Sequence, residues 1–536
     1  MPLMTRRNCV FTWLFVCLSV FCPDVIAQDQ AQRLSSVAPP PRFSDPNRAA
    51  RLAAAYPEVD KVMRDFATKN HVPGMAWGVI VDGRLAQAGA IGIRDMDKNA
   101  PVDADTVFRI ASMTKSFTAA AILQLRDAGR LSLDDAAARY MPELRQMRLP
   151  TADSRPITIR DLLSHSAGFP EDNPWGDQQL AATEASFSAM LRRGFPFSHT
   201  PGVAYEYSNL GFAMLGRIVT VVSRMPYERY VTERLLRPLG MMATTFEAAS
   251  VPATRLAHGY RRQDDRWIIE PALPHGAFGA MGGMLTTAGD LSKWVAFMLD
   301  AWPPRDGADN GPLKRASRRE MQQVARFSGG FARRDADNNL SLSIGGYGYG
   351  LGARQTCNVQ LSVSHGGGLP GYGSHMRWLP DYGVGIVTMC NLTYTGASGA
   401  VEQALLALSR TGALAPREIQ PAPVLLERQA QITRLISAWD DGLADSLAAM
   451  NLFLDESKPR RREAIEKLVK EAGGSCRPEG AIVPENALRG AWRMRCAGAD
   501  LRVSMTLAPV EPATVQFLEV APLKPEDSLA PPAACR

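Results

Sequence analysis

The sequence predicts a mixed α/β (α+β) fold in two parts: a large domain whose sheet is assembled from both of its ends around a helical insertion, and a small C-terminal α+β module. Three observations lead there. The chain has 536 residues, beyond the roughly 250 to 300 at which a single core stops growing. Strand-like runs near residues 75–93 and 347–391 bracket a stretch dominated by helical patterns. After a proline-punctuated segment at 411–427, two helical patterns give way once more to strands.

The elements follow in order. Residues 28–50 are polar and carry Pro39, Pro40 and Pro41, which suits a flexible lead-in. Val59, Val62, Met63 and Phe66 recur at helical spacing. Strands at 75–81 and 84–93 are joined by Asp82-Gly83, a two-residue hairpin signal. Helices dominate from 112 to 293, interrupted by a loop rich in Pro, Gly and Asn at 167–176. Strands return at 347–355, 359–365 and 373–379, and the turn 380–383 leads into a last one at 384–391. A helix at 397–409 closes the large domain, which thus spans 51–410. Residues 411–427 read as a linker. The module at 428–536 opens with helices at 430–450 and 461–471 and ends on strands at 491–496, 501–507 and 515–520.

Hydrophobic residues make up 46% and charged residues 21%, the balance of a soluble globular chain. The formal net charge of +6 is mild for this length, and no basic stripe with interleaved aromatics exists, so nucleic acid is not an expected partner. Arg6 and Arg7 precede an apolar run, and Val25-Ile26-Ala27 ends in small residues, the pattern of a signal peptide over residues 1–27. The expected mature protein is periplasmic or secreted, without stable membrane insertion. Its five remaining cysteines are Cys357, Cys390, Cys476, Cys496 and Cys535. Cys476 with Cys496 is the favoured bridge, both lying in one module, whereas Cys357 with Cys390 requires neighbouring strands. With no C-x-x-C spacing and no His pair at ligand spacing, neither a metal nor another cofactor is expected.

Three short motifs carry chemistry. Ser112-Met113-Thr114-Lys115 opens an apolar helix. Residues three apart on a helix share a face, with β-carbons about 5–6 Å apart, so the amine reaches the hydroxyl. A buried Lys depressed in pKa can take the proton that makes a serine nucleophilic. Tyr207-Ser208-Asn209 stands at a loop-to-helix junction, where a phenol can relay protons and an amide can hold a substrate carbonyl. His365-Gly366-Gly367-Gly368 ends a strand pattern and leaves bare backbone N–H groups for an oxyanion or an extended substrate. Taken singly, each has an ordinary alternative: a helix-start Ser, an N-cap Asn, a strand-end bulge.

Taken together, in this order and rough spacing, the three motifs resemble those of the serine β-lactamase/penicillin-binding-protein superfamily, closest to its class C-like and D-peptidase branches. Phrases at 157–168, 236–241 and 282–287 are similar to further stretches of that branch, and the resemblance covers about residues 51–410. It implies an antiparallel sheet flanked by helices plus a helical subdomain. It also implies Ser112 as the acylated nucleophile, Lys115 and Tyr207 as the proton-handling pair, and Asn209 as a contact to the substrate amide. His365 becomes the electropositive group of the third motif, and the N–H groups of Ser112 and Gly368 become the oxyanion hole.

The third motif departs from the Lys-Thr-Gly usual in dedicated β-lactamases of this branch. A histidine makes the charge depend on pH, which favours an ester or a D-amino-acid-type amide or peptide as substrate over a β-lactam. A slowly deacylating binding or sensor protein is the remaining alternative. The substrate is a small molecule or peptide, and oligomeric state is not encoded in any pattern. An α/β-hydrolase would need G-x-S-x-G and a zinc hydrolase H-E-x-x-H, and the chain has neither; His165 reads as a loop or packing residue.

Overall fold

The computed structural model describes residues 35–334, 340–524 and 526–530. The segment read as a signal and Cys535 lie outside them. The chain divides into two compact units, Pro40–Glu418 and a second made of Ile419 onward together with the described residues before Pro40.

In the larger unit the first long helix, α1 (Tyr56–Lys69), buries Val59, Met63 and Ala67 at four-residue spacing. Strands β1 (Gly74–Val81) and β2 (Arg84–Asp95) follow. Asp82 and Gly83 between them both take positive φ, 49° and 78°, the geometry of the tight hairpin turn that Asp-Gly favours. A short edge strand, β3 (Ala100–Pro101), precedes the helical insertion, whose principal helices are α2 (Thr114–Asp127), α3 (Asn209–Ser223) and α4 (Ala288–Leu299). Six strands return: β4 (Arg326–Arg334), β5 (Leu340–Tyr347), β6 (Gly352–Thr356), β7 (Ser362–Leu369), β8 (Tyr372–Leu379) and β9 (Val384–Cys390). Helix α5 (Ser398–Arg410) completes the unit.

The sheet runs β3-β2-β1-β9-β8-β7-β6-β5-β4. The early hairpin is stitched to the late strands by antiparallel pairing of β1 with β9, from Met75 opposite Cys390 to Val81 opposite Val384. This is the sheet built from both ends of a domain that the sequence predicts. Every residue of β1 is buried because both faces are covered. Met75, Trp77, Val79 and Val81 join the core under α1 and α5, while Ala76 and Ile80 join the core shared with the helical insertion.

The structure adds a hairpin the sequence reading lacks. The run expected at 347–355 is the end of β5 and the start of β6, separated by a turn in which Gly348 N–H donates to the Leu351 carbonyl (2.8 Å) and Gly350 has φ 69°. Strand β4 and most of β5 were not expected, because Phe327, Leu340, Leu342 and Ile344 stand exposed and glycines interrupt the alternation. Cys390 is free and buried, so no Cys357–Cys390 bridge forms; β9 is not a neighbour of the chain after β6.

The smaller unit packs helices α6 (Pro423–Ser437), α7 (Asp441–Leu447) and α8 (Lys458–Glu471) with a four-stranded sheet, β10 (Arg477–Asn486), β11 (Arg489–Arg495), β12 (Asp500–Leu507) and β13 (Val515–Leu523), in sequential order. Leu501, Val503, Met505 and Leu507 alternate inward along β12 onto Leu425, Ile432 and Leu435 of α6. Cys476 and Cys496 are bridged. Two expectations shift. The stretch 411–427 includes the start of α6, where Pro423 supplies the φ of a first helical turn. The single helix expected at 430–450 is broken at Ala438, which is extended, and restarts where Asp440 caps the Leu443 N–H (2.6 Å). Ser35 accepts a backbone hydrogen bond from Val424 (3.0 Å) and Ala38 packs on this unit's core, so part of the expected lead-in is ordered. No helix among the described residues is long and apolar enough to cross a membrane.

Candidate active site

Ser112 sits in a single 3-10 turn, Ala111–Met113, immediately before α2. Local bonds hold that turn. Ile110 N–H donates to the Met284 carbonyl (3.1 Å), Met284 N–H donates to Thr114 Oγ1 (3.2 Å), and that hydroxyl donates to the Ala111 carbonyl (2.7 Å). They over-determine Ala111, whose φ of 48° lies in a region that a residue with a β-carbon seldom occupies. Behind the turn, Phe117 of α2 stacks on Trp294 of α4 at 4.0 Å, and the Trp294 indole donates to Ser116 Oγ (3.1 Å).

Lys115 is fully buried, its Nζ 3.0 Å from Ser112 Oγ, 2.7 Å from Asn209 Oδ1 and 2.9 Å from the Met281 carbonyl. All three partners are uncharged. Burial of the ammonium therefore lowers the pKa from 10.5 to about 7, against the opposing pull of Asp177 and Asp172. A neutral amine has two N–H donors and one lone pair. The carbonyl and the amide oxygen take the donors, leaving the lone pair for the Ser112 hydroxyl proton.

Tyr207 is hydrogen-bonded to Ser112, and burial holds its hydroxyl well above the ordinary phenol range. It is a neutral phenol, the state in which it can pass a proton on. Asn209 is the first residue of α3, but the cap is Ser208, whose Oγ accepts from Gly211 N–H (3.4 Å). Asp172 adds two more acceptors, taking the N–H groups of Asn209 (2.6 Å) and Leu210 (2.8 Å). With the helix end satisfied by others, the Asn209 side chain is free to bridge Lys115 and Asn173 Oδ1 (2.5 Å). His165 packs beneath, its ring 4.3 Å from that of Tyr207, with Nδ1 accepting the Ser208 N–H (3.1 Å).

His365 lies on β7. Its Nδ1 donates to the Gly366 carbonyl (2.5 Å), so Nε2 accepts from the Tyr347 hydroxyl (2.8 Å). Burial, then the Lys115 charge, lowers its pKa to about 3. The residue is neutral at physiological pH, which corrects the electropositive role the motif implied. The glycines divide their duties. Gly366 and Gly368 line a cleft with Ser112, whereas Gly367 packs away from it: a β-carbon there would stand 2.2 Å from the Ile110 carbonyl and 2.4 Å from Ser374 Oγ. That contact seats β7 against the nucleophile's turn.

The cleft, of about 290 Å³, is lined by Ser112, Tyr207, His365, Gly366 and Gly368, with Asn173, Asp177 and Tyr394 completing its wall. The last three were not singled out in the sequence. Asp177 is 2% exposed, and its Oδ2 accepts from the Tyr394 hydroxyl (3.1 Å). Burial raises its pKa from 3.8 to about 6.

A nucleophile, a buried amine and a phenol so arranged suit acyl transfer, and comparison with known proteins agrees. The model of the Beta-lactamase family matches residues 59–410. The chain belongs to that family. Protein flp of Staphylococcus aureus strain COL is 28% identical over 340 residues, 62% of this chain and 63% of that protein, so the match spans less than two thirds of the relative's length. Beta-lactamase-like protein 2 of Dictyostelium discoideum is 32% identical over 259 residues, 47% of each chain.

Two solved structures share the family fold. The octameric penicillin-binding protein homologue from Pyrococcus abyssi superposes with a TM-score of 0.56 at 20% identity, covering 88% of this chain and 94% of that one. The penicillin-binding protein from Bacillus halodurans gives 0.52 at 24% identity, covering 65% and 99%. Membership of the Beta-lactamase family supports a serine hydrolase or acyltransferase type of role. The wall of the present cleft combines the neutral His365 with the buried carboxyl of Asp177. Among the described residues no cluster of His, Cys, Asp or Glu is placed to hold a metal ion.

Proposed function

We propose that this chain is an exported serine hydrolase that forms an acyl-enzyme on Ser112 from an ester or a D-amino-acid-type amide or peptide. The observation that carries the reading is the contact of a buried, pKa-depressed Lys115 with the Ser112 hydroxyl at 3.0 Å. Lys115 Nζ takes the hydroxyl proton as Oγ bonds to the substrate carbonyl carbon, giving a tetrahedral oxyanion. Backbone N–H groups of Ser112 and Gly368 are the donors assigned to that oxyanion, a contribution of about 10²–10³ in turnover per donor. The proton returns through the Tyr207 hydroxyl to the departing alcohol or amine as the carbonyl re-forms. Water then attacks the acyl-enzyme by the same route in reverse and releases the acid. The neutral His365 offers no cation to a substrate carboxylate, which weighs against efficient turnover of β-lactam drugs. Residues 1–27 provide the export signal in this reading.

Intact-mass measurement after treatment with a fluorophosphonate tests it. The wild type is expected to gain one adduct and Ser112→Ala none. A folded wild type that takes no adduct overturns the proposal.

A further inference from the structure

We propose that Asp177 recognises the substrate, receiving the ammonium group of an acyl donor that carries a free amine near its scissile carbonyl. The inference rests on acylation of Ser112 as proposed above and names the class of donor.

Asp177 shares the cleft with Ser112 and is almost wholly shielded from solvent. Its two oxygens are unequal. Oδ2 accepts from Tyr394, while Oδ1 is buried with no hydrogen-bond partner. A buried carboxylate oxygen without a donor is unfavourable, and a donor entering the cleft relieves it. The neighbouring carboxylate, Asp172, has no such vacancy, since both of its oxygens accept from the start of α3. Asp177 is also held in place. Preceding it, Gly176 lies so close to Asn209 that a β-carbon would come within 2.7 Å of the Asn209 β-carbon, which ties the turn Trp175–Gln178 to the second motif.

The charge balance of the wall points the same way. None of the residues lining the cleft is Lys or Arg. Lys115, whose charge acts on Asp177, is buried behind Ser112 rather than in the wall and gives up its proton above about 7, and His365 is neutral. Asp177, ionised above about 6, is the residue of this wall that carries charge near neutrality. Such a cleft attracts an ammonium group and repels a carboxylate.

Matched phenyl esters test the inference: glycine against propanoate and β-alanine against butanoate, each pair differing in an ammonium or methyl group at two reaches from the carbonyl. In the wild type at least one amino ester should exceed its neutral partner in kcat/KM by about tenfold or more, and Asp177→Asn should remove most of that ratio. Ratios near one in the wild type overturn the inference, as does a ratio that survives in Asp177→Asn. Equal slowing of all four esters in the variant also overturns it, assigning Asp177 to the chemistry common to every donor. Fluorophosphonate labelling run in parallel separates the two readings, because an unlabelled wild type refutes acylation at Ser112 itself. Should Asp177→Asn not fold, the wild type alone decides: ethylammonium should slow Ser112 labelling more than propane at equal concentration, and equal effects reject the inference.

Discussion

Lys115 is surrounded by neutral oxygens, and this gives a lysine a usable lone pair near neutral pH. Because the protonated form cannot accept the Ser112 proton, kcat/KM should rise with pH through about 7 and level off above it, a profile that a set of rate measurements on a phenyl ester will check. Lys115→Met should cost about 10²–10⁴ in acylation, the usual weight of a general base. These residues were legible in the sequence because their relation is local. Ser112 and Lys115 are fixed by helical spacing, and Tyr207 and Asn209 by a loop-to-helix junction. Asp177 and Tyr394 were not, since they meet only after a chain separation of 217 residues and neither sits in a pattern with a period. The neutrality of His365 was also hidden, because its cause is burial against Tyr347 and Lys115, which no motif records.

At the level of elements, the site depends on how closely β7 approaches the turn before α2. Gly367→Ala should force a β-carbon against the Ile110 carbonyl, where backbone cannot yield cheaply. The expected result is a loss of about 1–3 kcal/mol in stability and slower labelling of Ser112, measured by denaturant melts and adduct kinetics; unaltered labelling would show that the contact does not seat the nucleophile. Strands with one inward face were readable from alternation, and Asp82-Gly83 marked its hairpin. The edge hairpin β4–β5 escaped because its apolar side chains face outward and its glycines break the pattern. The helix break at Ala438 escaped because the residues on either side keep helical character while Asp440 recaps the backbone.

For the molecule as a whole, buried histidines set the response to acid. The pKa values of His365 and His375 fall from 6.5 to about 3 on folding, chiefly through burial. The unfolded chain therefore binds more protons between those values, and the stability these residues allow is complete above about 6.5 and declines as pH falls below it. Asp177, raised from 3.8 to about 6, acts in the opposite sense and offsets part of the loss. The melting temperature should thus drop between pH 7 and pH 5, and His375→Gln should flatten the slope; an unchanged slope would place the titration elsewhere. The central seam of the sheet has a further consequence in time. Strand β1 emerges from the ribosome roughly 300 residues before β9, the strand it pairs with, and at about 5–20 residues per second that interval is tens of seconds. Throughout it, one edge of the first hairpin has no native neighbour, so the domain cannot close strand by strand as it is made and must hold its earliest strands in reserve until almost all of it exists.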